Sequence, residues 1–177
     1  MNAPARPPAP GWARRILDRV GALERSACIG AFVLLIAAVF ADVLSRELTG
    51  RGLFWALQAG VYANLVVVMV GLGLASQDSS HLRPRFADSW LPARWDPWLT
   101  RLGEALTAAF FLVMTLVAVE VVLETRVLGE RSPVLGTLIW PVQAIIPLVF
   151  AVAAGRHGLY ALYPGLRPAP PAAPGAE

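Results

Sequence analysis

FWALQAGVYANLVVVMVGLGLASQDSSHLR, residues Phe54 to Arg83, decides the fold. It opens on the aromatic pair Phe54 and Trp55 and runs almost uninterrupted apolar from Val61 to Ala75. It then breaks into Ser76, Gln77, Asp78, Ser79 and Ser80, ahead of His81 and Arg83. A helix that is apolar on every side is either deeply buried or in lipid. A spanning helix takes ~20 mostly apolar residues, and Trp55 to Ser76 is about that long. The stretch therefore reads as a transmembrane helix, anchored by Trp55 at one surface and released into water near Gln77.

Composition extends that reading to the whole chain. Of 177 residues, 56% are hydrophobic and only 15% are charged, against ~25% charged in an ordinary soluble domain. Mean hydropathy is +0.58. Too few charges remain for a solvated surface, so the chain is an integral membrane protein. All fifteen basic residues are Arg, and the net charge is +3. The arginines sit at the ends of apolar runs, which suits lipid headgroups and not nucleic acid. The single Cys28 cannot form an internal disulfide and reads as a small apolar contact.

The expected architecture is an all-α membrane protein: a bundle of four transmembrane helices, with an N-terminal amphipathic interfacial helix and an interfacial segment between spans two and three. Residues 1–11, rich in Pro and Ala, are expected to be a disordered tail. In WARRILDRVGAL, Trp12, Ile16, Val20 and Leu23 share a face opposite Arg14, Arg15, Asp18 and Arg19. That pattern predicts a short helix on the membrane surface; the alternative is that it extends the first span into water. The membrane domain covers residues 12–163, with spans at about 27–44, 55–76, 102–123 and 138–159. Between spans two and three, Trp90, Trp95 and Trp98 lie among Pro92, Pro97 and Arg94, a composition that belongs at the headgroups. Residues 164–177 form a second Pro/Ala-rich tail.

The polar residues in or beside the spans are few. Asp42 stands four before Arg46, a spacing that lets the two pair at the membrane edge, in preference to a proton-carrying role. Glu120 and Glu124 share a face near the exit of span three. Glu120 is read as interfacial, hydrogen-bonded or Arg-paired, with an ion ligand as the alternative. Thr107 and Thr115 are placed to bond back to their own helix. Pro147 should kink span four. Asn64, deep in span two, and Gln143 should each find a partner on a neighbouring helix. His81 and His157 are both expected outside the hydrocarbon, on one side. That placement argues against haem held between spans. His81 and Arg83 could bind a lipid phosphate or a partner, or belong to a solvated loop. No catalytic constellation, metal-spaced cluster or phosphate-cradling loop is present in the sequence.

Two stretches resemble the small permease subunit of TRAP transporters, the DctQ-type family. In the first, Trp55, Tyr62 and Gly71 and the exit His81-Leu82-Arg83 are similar to the family's aromatic-led second span. In the second, GERSPVLGTLIWPVQAIIP, the residues Ser132, Pro133, Gly136, Trp140 and Pro147 are similar to its Ser-Pro-x-x-Gly loop, Trp and in-span Pro. The likeness runs from about Glu24 to His157. Leu57, Gln58 and Val61 depart from it, standing where the family commonly carries charges.

The resemblance implies a non-catalytic subunit without a cofactor, in the bacterial inner membrane. It would brace a large DctM-type permease subunit and help dock an extracytoplasmic solute-binding protein that delivers an organic acid in an ion-coupled symport. Trp55, Gln58, Tyr62, Asn64, Gly71, Ser132, Pro133, Gly136, Trp140, Gln143 and Pro147 are then expected at the partner interface. Asp42, Arg46, His81, Arg83 and Glu120 are expected among the headgroups. The alternative is a self-sufficient homodimeric four-span carrier or exporter, which would need a carboxylate well inside a span. A membrane anchor for a redox enzyme is a third reading.

Four spans place eleven arginines, with both termini, on one side and four on the other. Short cytoplasmic segments collect positive charge, so both termini are expected in the cytoplasm. A reporter fused after Arg167 should behave as cytoplasmic and one after Gly50 as exterior; the opposite pattern overturns the topology.

Overall fold

A computed structural model of the chain describes residues 10–76 and 96–168. The elements in order are α1 (Gly11–Thr49), α2 (Phe54–Ala75), α3 (Asp96–Leu128), α4 (Trp140–Gln143) and α5 (Ile145–Leu162), then a 3₁₀ turn at Pro164–Leu166. Four helical stretches are long and apolar enough to cross a membrane: α1, α2, α3 and the combined Trp140–Leu162. Among the described residues there is no β-strand. The all-α, four-span reading is therefore met.

Lipid as the surrounding medium explains the surface. Phe32, Val33, Leu34, Ile36, Val39 and Phe40 of α1 are each more than half exposed. So are Phe110, Leu112, Val113 and Leu116 of α3. Patches of that extent make a water-soluble monomer insoluble.

The packing is pairwise. α1 lies along α2, α3 lies along α5, and a smaller contact between α2 and α5 joins the two hairpins. Each outer helix buries one narrow stripe. On α1 the covered residues are Glu24, Cys28, Ala31, Leu35, Ala38 and Asp42, at alternating steps of four and three. On α3 they are Glu104, Ala108, Phe111, Thr115, Ala118 and Thr125, with Val122 completing the same spacing. This 3.5-residue repeat is the seam of left-handed helix pairing. Small residues let backbones approach closely where no hydrophobic effect drives association. A side chain on Gly60 would lie 3.5 Å from Leu35, and the Cys28 thiol sits 3.9 Å from the Val67 carbonyl.

The turns are chemically specified. α1 ends at Gly50, whose φ of 70° lets its N–H return 2.9 Å to the Arg46 carbonyl. Gly52, next along, has no room for a side chain: a Cβ there would lie 2.8 Å from both Arg46 and Asp42. α3 ends at Gly129, φ 63°. Its N–H bonds the Arg126 carbonyl, and the Glu130 N–H bonds that of Thr125, the paired closure that a left-handed glycine permits. In the loop beyond, the Ser132 hydroxyl accepts from the N–H groups of Val134 and Leu135. Gly136 turns left-handed at φ 65°, so the chain doubles back and the Ser132 N–H reaches the Thr137 carbonyl at 2.8 Å.

Several expectations are corrected. The stretch read as a separate surface helix is the opening of α1, which runs unbroken for 39 residues; no Pro or Gly-rich break separates it from the span. The last part of the expected interfacial segment is helical from Asp96 onward, and its remainder, with Trp90, Trp95, His81 and Arg83, lies outside the described residues. The C-terminal tail keeps structure to residue 168, because the Pro164–Leu166 turn carries Arg167 back to 2.9 Å from Glu104. The break expected from Pro147 falls at Ala144, between α4 and α5. It lies one turn earlier because the ring removes a donor and crowds the carbonyl four residues back.

Gly71, singled out by the family likeness, meets nothing within 4 Å, whereas a Cβ on Gly73 would lie 3.0 Å from the Glu24 carboxylate and 3.3 Å from Val149. Gly73→Ala is expected to cost about 1–3 kcal/mol through overpacking, with Gly71→Ala near neutral. Thermal unfolding of the two variants in detergent measures the difference.

Candidate functional site

The charged side chains form two layers, one at each end of the bundle. Glu24 and Asp42 on α1 are separated by about 27 Å of helix, and Glu104 and Glu120 on α3 by about 24 Å, at 1.5 Å per residue. A bilayer's hydrocarbon core is ~30 Å thick. Each layer therefore sits near one edge of the apolar slab.

The layer at the Glu24 end is internal and dense. Arg156 on α5 is 2% exposed. Its guanidinium donates to the Glu24 carboxylate of α1, to the Gly73 carbonyl of α2 and, at 3.4 Å, to the Ser76 hydroxyl. His157, the next residue, turns the other way. Its Nδ1 lies 2.7 Å from Glu104 of α3, and its ring stacks on Phe111 at 5.7 Å and meets Tyr160 edge-on at 5.9 Å. Glu104 also holds Arg167. Two adjacent residues thus tie α5 to all three other spans. A planar guanidinium presents five N–H donors in a fixed fork, so it can serve three acceptors in set directions.

The layer at the Asp42 end is more open. Asp42 pairs with Arg46 at 2.7 Å, as the spacing suggested. It also accepts from the Leu53 N–H at 2.7 Å, which fixes the start of α2. Arg126 lies over the Trp140 ring, 5.4 Å from its centre, joining the end of α3 to the start of α4. Cations held over indole faces add about 0.5–2 kcal/mol.

Residues anticipated from the sequence divide by surroundings. Ser132 and Pro147 are buried within the chain, Gln58 and Gly71 are half-buried, and Trp55, Pro133 and Gly136 are exposed. They do not share one surface. Thr107 and Thr115 donate to the carbonyls of Gly103 and Phe111, as expected. Glu120, expected to be paired, is exposed and has no ion pair or hydrogen bond among the described residues, since it falls off the covered stripe of α3. Asn64 is likewise exposed. The Tyr62 hydroxyl and the Gln143 side-chain oxygen are buried without a partner among the described residues.

His157, expected outside the hydrocarbon on the sequence alone, is with its neighbour Arg156 among the most buried polar side chains of the described residues. Sequence reasoning missed Glu24 and Glu104 as well. A signal existed. Both acids fall in step with the 4-3 stripe of small residues on their helices, so each had to face a neighbouring helix and needed a cation there.

The geometry defines a small four-span integral membrane protein whose buried charged groups fasten its own helices together. Comparison gives the class a name. The family described as Tripartite ATP-independent periplasmic transporters, DctQ component, matches residues 35–166, most of the chain, and the protein belongs to that family. It is the small component of a tripartite transporter. No individual curated protein matches it.

Removing one side of the buried pair leaves a bare charge. Arg156→Met should therefore lower stability by about 3–5 kcal/mol, and Glu24→Leu combined with Arg156→Met should restore most of it. Denaturation in detergent micelles reads both values; equal loss in the single and the double variant would show that the pair is not the fastener.

Proposed function

We propose that this chain is the non-catalytic small subunit of an ion-coupled organic acid uptake system. It braces a large permease subunit in the inner membrane, with both termini cytoplasmic, and helps an extracytoplasmic solute-binding protein to dock. The observation that carries this reading is the employment of its carboxylates. Glu24, Asp42 and Glu104 are each committed to holding one helix to another. A carrier needs polar groups free to exchange partners with cargo, set where helices break. Here these three acids are fixed, and among the described residues the one break in a span, at Ala144, follows from Pro147. A frame that does not change shape is what a moving partner subunit requires to push against. Family membership supports the same assignment.

Among the alternatives, the homodimeric carrier would rest on Glu120, the exposed acid near a span end. Under the scaffold reading, Glu120→Gln leaves uptake by the full complex within about twofold of wild type, a change below ~0.5 kcal/mol, as for an exposed site away from packed features. Reconstitution supplies the decisive comparison. Proteoliposomes holding this chain alone should show no sodium-dependent uptake of organic acid, and those holding it with the large subunit and the binding protein should. Uptake by this chain alone would reject the scaffold reading.

A further inference from the structure

α2 touches α1 on one side and α5 on another, and a third side is left open. Leu57, Val61, Asn64, Val68, Leu72 and Ala75 are all exposed and follow one another at steps of four and three. Their steps of 4, 3, 4, 4 and 3 trace one face of a straight helix and depart only once from the alternating 4-3 repeat of the occupied seams on α1 and α3. Leu57 is 75% exposed, Val61 55% and Val68 57%.

Depth makes this face unlike the others. Asn64 lies about 15 Å along the helix from Phe54 and about 18 Å from Ser76, which places it near the middle of the hydrocarbon. A primary amide carries two N–H donors and a carbonyl acceptor. Surrounded by lipid tails, none of them is satisfied, at a cost of several kcal/mol. The Asn64 side-chain amide makes no hydrogen bond to backbone or side chain among the described residues. At matching depth the lipid-facing side chains of α1 and α3 are hydrocarbon, as Val33, Ile36, Leu112 and Val113 illustrate. The Thr107 and Thr115 hydroxyls return to their own helix. Among the described residues, the open side of α2 is the lipid-facing surface that brings an unanswered hydrogen-bonding group to the bilayer centre; the partnerless Tyr62 hydroxyl is buried inside the bundle.

We infer that this side of α2 is the seam on which a transmembrane helix of the large permease subunit docks, and that the Asn64 amide hydrogen-bonds a polar side chain of that helix. The inference rests on the small-subunit reading above, which supplies a membrane partner distinct from a second copy. The apolar residues of the seam give close contact, and a single amide among them fixes register and partner choice, as a lone Asn does within coiled coils. The exposed faces of α1 and α3 remain for lipid. Gly71 borders this seam on α2, whereas Gln143 lies on α4.

Photo-crosslinking in membranes co-expressing both subunits tests it without knowledge of the partner's sequence. A benzophenone amino acid is placed singly at Val61, Val68, Ile36 or Val113. Val61 and Val68 should yield an adduct with the mass of this chain plus the large subunit; Ile36 and Val113 should not. Asn64→Leu should weaken co-purification of the two subunits about threefold to tenfold, with Asn64→Gln retaining most of it.

Adducts from Ile36 or Val113 alone would move the interface elsewhere and leave the small-subunit reading standing. An adduct of twice this chain's mass would make the seam a homodimer contact and overturn the inference. Equal co-purification of wild type and Asn64→Leu would remove the role of the amide. Failure of the unmodified chain to co-purify with any large permease subunit would instead defeat the reading on which the inference rests.

Discussion

Arg156 and His157 stand side by side and pull in opposite directions, and the rest of the bundle is arranged around that fact. In lipid, apolar helices gain nothing by leaving one another or by staying together through solvent exclusion. Shape and hydrogen bonding must hold them. The guanidinium of Arg156 collects α1 and α2, and the imidazole of His157 collects α3. Without that junction the chain is two helical hairpins with a modest contact between α2 and α5. The cost of burying such charges is met by several bonds at once, and their position near the edge of the hydrocarbon keeps it bounded.

The demand for small residues follows from the same junction. Gly73 offers its carbonyl to Arg156 while its missing side chain leaves room for Glu24 and Val149. One residue thus supplies both the acceptor and the space. At the opposite end, Gly52 supplies the space for Asp42 and Arg46, and the next residue, Leu53, donates its N–H to Asp42. The two clasps are alike in design: an acid on α1, a cation, and a glycine of the next segment that lets them close.

Much of this architecture was legible in the amino-acid order, and the remainder was hidden for physical reasons. The four spans followed from apolar runs and from the Trp residues at their ends. The Asp42–Arg46 pair followed from a spacing of four. Long-range pairs carry no such local mark: Glu24 and Arg156 are remote in the chain, and nothing near either names the other. The stripe on α1 did point Glu24 inward, but only once the helix was known to begin at Gly11 and not after a break. The burial of His157 against α3 was hidden because a histidine at the end of an apolar run usually meets water. The glycine chosen by family likeness was Gly71, while the one under steric pressure is Gly73, two residues on and facing a different neighbour.

The unbroken length of α1 has a mechanical meaning. At 39 residues it measures about 58 Å, nearly twice the apolar thickness of a bilayer. Trp12, Ile16 and Leu23 lie exposed on the overhanging part, and with no hinge below them they cannot bend to wet themselves in the headgroups. The depth of Trp12 and the inclination of the entire bundle are consequently a single variable. With no hinge in α1, a mismatch in membrane thickness is met by tilt of the whole helix or by deformation of the bilayer around it, not by a bend in the chain.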